Sequence, residues 1–214
     1  MGLLNFQETK KLLLKYKIPV CQTRLTKSKK EALIFAKKIG YPAVLKISSP
    51  DILHKSDIDG VKTGVKNEKE LKKVWDEILN RIKKKKPQAK VDGILVQKME
   101  EGIEVAAGMK KDLQFGPVLM VGLGGVFIEV LKDVSFRVAP VNEKEGLEML
   151  KTLKSFPILT GARKRKPVNI KSISKIIASL SKLSLKEKNI KEIDLNPIIV
   201  NQKGALVVDV KILI

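Results

Sequence analysis

Cysteine, histidine and aromatic residues are scarce in this 214-residue sequence, which has one Cys, one His and 4% aromatic residues. The single cysteine, Cys21, excludes an internal disulfide framework and is typical of a reducing compartment. One histidine without a cysteine cluster excludes the common structural zinc sites. The few aromatic residues are not interleaved with basic ones, as they are on RNA-stacking surfaces.

Long apolar runs are also missing, since no run approaches the roughly 20 residues of a membrane-spanning helix. The N-terminal stretch lacks the charged, apolar and small-residue order of a signal peptide. It also lacks the serine or threonine of a myristoylation signal. We therefore expect a cytoplasmic protein that has no membrane partner.

Positive charge is in large excess, because 43 Lys and Arg face 23 Asp and Glu and the net charge is +20. Binding to nucleic acid would explain it, as would binding of anionic nucleotides together with an acidic partner. A third explanation is a bias toward lysine and glutamate, which is common on hyperthermophile surfaces. Most lysines fall on the polar faces of predicted helices, which favours the bias, and we do not expect a nucleic-acid partner.

Helix and strand patterns alternate irregularly along the chain. Strands are predicted at 41–47, 60–66, 93–99 and 102–112, two more around a glycine turn within 116–131, and helices at 6–17, 28–39, 68–85 and 142–154 and around 173–183. The last segment reads as a hairpin with NQKG as its turn. This pattern predicts an α+β (mixed α/β) fold and disfavours a doubly wound parallel sheet.

The C-terminal hairpin predicts a metal site. Its expected register has Val200 facing Ala205 across the turn, and counting outward by twos places Asn196 opposite Asp209, about 5 Å apart. Amide and carboxylate oxygens on rigid strands suit Mg²⁺, which keeps other positions for water and phosphate. Asp194 shares that face because strand side chains alternate. The alternative is that Asn196 only starts a turn and Asp209 caps an edge.

Isolated charges in apolar strands are further candidates. Lys46 in PAVLKIS suits a point-charge phosphate ligand in a cleft, or an edge lysine that reaches water. Glu129 and Arg137 suit a charged cleft, or ordinary strand ends. The GLGG run at 122–125 does not match a dinucleotide fingerprint, and the P-loop pattern is absent from the sequence.

The one histidine, His54, lies in the polar, turn-like stretch SPDILHKSDIDGV at 49–61. Imidazole is a competent nucleophile toward phosphorus near neutral pH because it is then largely neutral. A Ser–His hydrolase site would need a nucleophile elbow, which the sequence lacks. The hypothesis is that His54 carries a phosphoryl group, and the alternative is an inert surface histidine.

Three segments together resemble a known family: LHKSDIDGV, then EGIEVAAGMKKDLQFGPVLMVGLGGVFIEVLKDVSFRVAP, then EIDLNPIIV with ALVVDV. In this order, over nearly the whole chain, they resemble the β subunits of ADP-forming acetyl-CoA synthetases, which are archaeal acid–CoA ligases. The resemblance implies an ATP-grasp fold with a nucleotide cleft between two lobes. The smaller lobe would be 20–92, with the His54 loop, and the larger would be 1–19 and 93–214.

The resemblance also implies cofactors and site residues. ATP or ADP and Mg²⁺ are the implied cofactors, with Asn196 and Asp209 as metal ligands and His54 and Asp194 as catalytic residues. The residues implied to bind the nucleotide are Lys46, Glu100, Glu104, Glu129 and Arg137. One departure is Lys164 in LTGARKRKP, where the family usually has a small residue, and this puts a tight backbone role of that turn in doubt.

The reaction implied by the resemblance is acyl-CoA + ADP + phosphate ⇌ acid + CoA + ATP. An α subunit with the CoA-binding and phosphohistidine domains would be the partner in an α2β2 heterotetramer. The phosphoryl group would pass from that phosphohistidine to His54, whose loop swings toward the nucleotide, and then to ADP. The acyl substrate and the choice between ADP and GDP stay open at this point.

Three other functions are compatible with the residues. The first is an ATP-grasp carboxylate–amine ligase without a phosphohistidine. The second is a basic nucleic-acid-binding protein, and the third is a nucleotide sensor that binds ATP without transferring phosphate to His54.

Overall fold

A computed structural model describes residues 2–52, 55–125, 128, 130–162 and 166–214. The chain divides into two compact units, which are unit 1 (Met1–Val20 and Glu101–Ile214) and unit 2 (Cys21–Glu100). No helix in these described ranges has the length and apolar character needed to cross a bilayer.

The elements follow the mixed order that the sequence predicts. The helices are α1 (Phe6–Lys15), α2 (Lys29–Ile39), α3 (Glu68–Lys85), α4 (Glu143–Lys151), α5 (Phe156–Leu159) and α6 (Ile170–Lys186). The strands are β1 (Thr23–Thr26), β2 (Ala43–Ser48), β3 (Val61–Val65), β4 (Gly93–Lys98), β5 (Ile103–Asp112), β6 (Gly116–Leu123), β7 (Val134–Val138), β8 (Glu192–Val200), β9 (Ala205–Val207) and β10 (Val210–Leu213).

Unit 2 is a four-stranded antiparallel sheet in the order β1-β4-β2-β3, with α2 and α3 packed on one face. Helix α3 is capped by Asn67, whose side chain accepts a hydrogen bond from the Glu70 N–H at 2.9 Å. Its apolar residues recur every three or four positions and are buried against the sheet. Leu45 of β2 and Val96 of β4 are opposed in the ladder and belong to this core. The other face of the sheet therefore carries the alternate residues of the same strands.

The boundary between the two units differs from the predicted lobes. We expected β4 to open the larger lobe at residue 93, but β4 pairs with both β1 and β2 and lies in the middle of the unit 2 sheet. The division falls after Glu100 instead. The apolar GILVQKM pattern predicts a strand without indicating which sheet contains it.

Unit 1 contains a six-stranded sheet in the order β10-β8-β5-β6-β7, with β9 also paired to β8. Helices α4 and α6 contribute to the same buried core as one face of this sheet. The apolar face that the spacing predicts on α6 is buried, from Ile173 to Leu183. The helix packs because these residues form one stripe along it.

The segment after β6 also differs from the prediction of two apolar strands around a glycine turn. Strand β6 ends at Leu123, the N–H of Gly124 donates to the Glu104 carbonyl at 2.8 Å, and Gly125 has φ +61°. Val130 and Leu131 are 67% and 62% exposed. Among the described residues the next strand is β7, so Val130 and Leu131 lie outside the strand that we predicted for them, and residues 126, 127 and 129 lie outside the described residues.

Asp133 ties the start of β7 to the turn after α4. Its carboxylate accepts from the N–H groups of Lys154 at 2.9 Å and Ser155 at 2.8 Å, and from the Ser155 hydroxyl. Burial alone would raise the pKa of Asp133, but these hydrogen bonds outweigh it and lower the pKa. A carboxylate with several donors is well satisfied when buried, so this contact fixes the end of the connection between β6 and β7.

Candidate functional site

The C-terminal hairpin has the predicted register. The paired residues are Val200 and Ala205, Ile198 and Val207, Leu195 and Val210, and Asp194 and Lys211. One register thus runs from β9 into β10 and places Asn196 opposite Asp209. The Asn196 N–H donates to the Asp209 carbonyl at 3.1 Å, which confirms this opposition. Their function as metal ligands stays a prediction.

Asp194 lies on β8 between Lys211 of β10 and Gly108 of β5. Burial raises the pKa of Asp194, and the carboxylates of Asp209 and Glu192 raise it further, while the Lys211 ammonium acts in the opposite direction. A half-buried carboxylate with acidic neighbours gains from a nearby cation. Oxygen donors are the ligands that Mg²⁺ prefers, so the chemistry of this group of side chains fits a magnesium ion.

Within the described ranges, no group of three or more His, Cys, Asp or Glu side chains has a geometry that could hold a metal ion. The predicted Mg²⁺ ligands are the Asn196 amide and the Asp209 carboxylate. Asp209 also accepts a hydrogen bond from the Val210 N–H at 3.1 Å, which restricts its side chain.

The face of the unit 1 sheet on which Asp194 lies follows from the strand pairing. Asp194, Gly108, Met120 and Phe136 are opposed in turn across β8, β5, β6 and β7. The neighbouring row, from Ile193 through Met109 to Leu119, is buried in the core with α4 and α6. Asp194 therefore lies on the face opposite these helices. Glu104 shares the side of β5 on which Gly108 lies and is exposed there.

Arg137 is not brought together with these acidic residues. It is opposed to Leu119, so it lies on the face that carries the helices. Ser135, two residues earlier on the same face, accepts a hydrogen bond at 3.0 Å from the Thr152 hydroxyl at the end of α4. Arg137 was predicted either for a charged cleft or for an ordinary strand end, and strand pairing places it on the opposite side of the sheet from Glu104 and Asp194.

Lys46 lies on β2 of unit 2, opposed to Leu95 of β4 and Val61 of β3. Its side chain lies on the opposite face of the sheet from Leu45 and Ile47, which pack against the helices. Only 6% of Lys46 is exposed, and β2 is an internal strand. The alternative of an edge lysine that reaches water is therefore excluded. A buried ammonium requires polar or anionic partners, which is the property expected of a phosphate ligand.

Glu100 is partly buried at the end of unit 2, with one of its oxygens 3.9 Å from the Lys98 ammonium. The same oxygen is 3.9 Å from the Cys21 sulfur, and the Cys21 thiol donates to the Lys98 carbonyl at 3.2 Å. Sequence reasoning used Cys21 only to judge the redox compartment and missed this contact. Gln97, a polar residue in the same strand, is also buried, and its amide donates to the Thr23 hydroxyl at 2.8 Å.

We expect Cys21 to be unreactive in the folded protein. Burial and the Glu100 carboxylate raise the pKa of its thiol to about 12, against an ordinary value of 9.0. Since the thiolate is the nucleophile, ionisation alone should slow alkylation at pH 8 about 1,000-fold relative to the unfolded chain. Mass spectrometry after iodoacetamide treatment, with and without guanidinium, measures this at the only cysteine. Equal rates in both conditions would contradict the buried, protonated thiol.

Three residues of the predicted site and its surroundings lie outside the described residues: His54, Glu129 and Lys164. Their functions stay predictions. The residues on both sides of His54, from 49 to 52 and from 55 to 61, are described.

The comparisons with known proteins agree with this fold. The model of the ATP-grasp domain matches residues 1–214. The β subunit of acetate–CoA ligase [ADP-forming] I from Pyrococcus furiosus is 45% identical over 97% of this chain and 90% of that protein.

Solved structures of a dinucleotide forming acetyl-coenzyme A synthetase 1 from Ca. Korarchaeum cryptofilum also match. The complex with coenzyme A, Ca-AMPCP and HgCl+ has a TM-score of 0.95 at 43% identity, over 100% of this chain and 93% of that one. A second complex, with coenzyme A and Mg-AMPPCP, has its phosphohistidine segment pointing towards the nucleotide binding site. It has a TM-score of 0.85 at 39% identity, over 100% of this chain and 92% of that one.

The fold is thus ATP-grasp, as the three sequence segments indicated. The chain belongs to the ATP-grasp family and, within it, to the β subunits of the ADP-forming acetate–CoA ligases.

Proposed function

We propose that this chain is the nucleotide-binding β subunit of an ADP-forming acid–CoA ligase, and that it makes ATP with a phosphoryl group delivered by an α subunit. The observation that carries the proposal is the 45% identity to a named β subunit over 97% of this chain. A β subunit implies a partner, and we propose that the partner contains the CoA site and the first phosphohistidine, in an α2β2 assembly.

His54 is the proposed relay. The N–P bond of the partner's phosphohistidine breaks as a new N–P bond forms on the His54 imidazole. In the second transfer that bond breaks while an oxygen of the terminal phosphate of ADP bonds to phosphorus, and the imidazole nitrogen keeps the electron pair. Two transfers of this kind conserve the phosphoryl group without water, which is the advantage of a covalent carrier.

The described residues have supporting functions in this proposal. Lys46 neutralises phosphate oxygens of the nucleotide from the buried face of β2. Asn196 and Asp209 would hold Mg²⁺, which when bound neutralises phosphate charge. Asp194, beside them, orients the imidazole of His54. Glu100 and Glu104 lie near the nucleotide. The position of Arg137, on the face of the sheet that carries the helices, does not support a contact with phosphate.

The experiment that tests the proposal combines the purified chain with its α subunit, acetyl-CoA, ADP and phosphate. We expect ATP and free CoA only when both subunits and a divalent cation are present, because each subunit holds one half of the reaction. Replacing ADP by GDP should lower the rate, since ADP is the proposed acceptor. ATP-dependent condensation of a carboxylate with an amine by this chain alone, with no phosphorylated protein, would instead identify a carboxylate–amine ligase.

A further inference from the structure

The turn that follows His54 in the sequence is closed by its own backbone. The Gly60 N–H donates to the Lys55 carbonyl at 2.7 Å, and the Asp59 N–H donates to the Ser56 carbonyl at 3.0 Å. Asp59 adopts φ +55°, a left-handed conformation that Asp and Asn tolerate better than most residues. Residues 55–60 thus form a compact turn immediately before β3.

Gly60 joins this turn to β2, the strand that carries Lys46. Its carbonyl accepts from the Ile47 N–H at 2.8 Å. A Cβ atom at Gly60 would come within 2.6 Å of Ile47 Cγ2 and 3.0 Å of the Lys55 carbonyl oxygen. The close packing of Gly60 against the Ile47 side chain and the Lys55 carbonyl therefore requires glycine.

Asp59 joins the same turn to helix α3 through two side chains that are one helical turn apart. Arg81 Nη1 donates to the Asp59 carbonyl at 3.0 Å, and Lys85 Nζ donates to Asp59 Oδ2 at 3.0 Å. The Lys85 ammonium lowers the pKa of Asp59 by its hydrogen bond and by its charge. The Asp59 carboxylate is therefore ionised at neutral pH and holds the lysine.

The residues before His54 are held independently. The Asp51 carboxylate accepts from the Lys90 N–H at 2.7 Å, and the Asp51 N–H donates to the Ser49 hydroxyl at 3.2 Å. Ile52 is 5% exposed and belongs to the unit 2 core. The stretch that contains His54 is thus bounded by two fixed ends, and the C-terminal end is hydrogen-bonded to α3 through Asp59.

We infer that Asp59, Arg81 and Lys85 form an anchor that positions the His54-bearing stretch for phosphoryl transfer, an inference that rests on the proposed function of His54. They are positioning residues, since they act on the base of the turn and not on the phosphoryl group. A carrier with a fixed base samples a smaller volume, so its effective concentration at each transfer site is higher. The Lys85–Asp59 pair is exposed, with 44% and 60% of the side chains accessible, and exposed pairs contribute little to global stability.

The test removes both α3 contacts without changing the turn itself. Arg81→Met/Lys85→Met is compared with Lys83→Met/Lys84→Met, which removes the same charge from exposed positions of the same helical turn. With a phosphorylated α subunit in a single turnover, we expect the anchor variant to transfer the phosphoryl group to His54 about tenfold more slowly. The control variant should keep the wild-type rate, and both should keep the wild-type melting temperature and affinity for ADP.

A second pair of variants examines the turn side of the anchor. Asp59→Asn removes the charge but keeps a residue that tolerates positive φ, and Asp57→Asn makes the same change at an exposed position of the same turn. We expect a rate about threefold lower for Asp59→Asn and no change for Asp57→Asn. Equal rates for the anchor variants and their controls would overturn the inference.

Hydrogen exchange separates failure of the anchor from failure of the relay. In Arg81→Met/Lys85→Met, the amides of Asp59 and Gly60 should exchange faster than in the Lys83→Met/Lys84→Met control, whether or not His54 carries phosphate. Unchanged exchange would overturn the anchor. If the anchor variant exchanges faster than its control but the wild-type chain takes up no label at His54, the anchor is supported and the proposed relay is refuted.

Discussion

His54→Ala is expected to abolish phosphorylation of this chain and ATP synthesis by the assembled enzyme. With the α subunit, [γ-³²P]ATP and a divalent cation, the wild-type chain should take up label that is stable to base and labile to acid. The variant should show only background label, a loss of at least about 1,000-fold, because the covalent acceptor is missing and the two phosphoryl transfers can no longer be separated. Gel autoradiography after acid or base treatment measures both results.

The assignment of that label is unambiguous, because His54 is the only histidine in the chain. Ser56→Ala, two residues away and exposed, is the matched control and should label like the wild type. Label that persists unchanged in His54→Ala would rule out the relay. Nucleotide binding without label in the wild type would instead favour the nucleotide sensor.

Asp209→Ala is expected to abolish metal-dependent nucleotide binding while the fold is retained. Loss of a residue that only orients a ligand weakens metal sites by up to about 100-fold, so loss of a ligand should weaken Mg-ADP binding by at least that factor. Asp209→Asn should lose most of the affinity too, although it can still accept the Val210 N–H. Calorimetry with Mg-ADP, and with ADP plus a chelator, measures the metal-dependent part.

Glu192→Gln is the control for this prediction, because Glu192 is an acid on the same strand as Asn196 that we do not assign to the metal. It removes one negative charge near Asp194 and should change Mg-ADP affinity only slightly. Equal losses in Glu192→Gln and Asp209→Ala would show that general negative charge matters and that Asp209 is not a ligand.

The hairpin register could be predicted from the sequence, whereas the position of Arg137 could not. The pairing of Asn196 with Asp209 depends on a short turn and on the two-residue period of a strand, and both are local properties. The face of Arg137 depends on its pairing with Leu119, which is 18 positions away. Val130 and Leu131, which lie between them in the sequence, are not in the strand that we predicted for them. Likewise, the alternation in β4 predicts a strand, but its two partners in unit 2 come from distant segments.

The anchor of the His54 stretch illustrates the same limit for side chains. Asp59 contacts Arg81 and Lys85 across separations of 22 and 26 residues. Both basic residues lie on a helix that contains many other lysines, so composition does not distinguish them from solvated surface charge. The large positive charge of the chain therefore includes at least one lysine with a specific contact.

The close contact between Gly60 and Ile47 has a consequence for protein engineering. The turn after the histidine packs directly against β2, the strand that carries Lys46, and contacts Ile47, the residue that follows Lys46. A transplant of the histidine-bearing segment into a related scaffold would therefore need the glycine and a matching acceptor strand, and the peptide that surrounds the imidazole would not suffice alone.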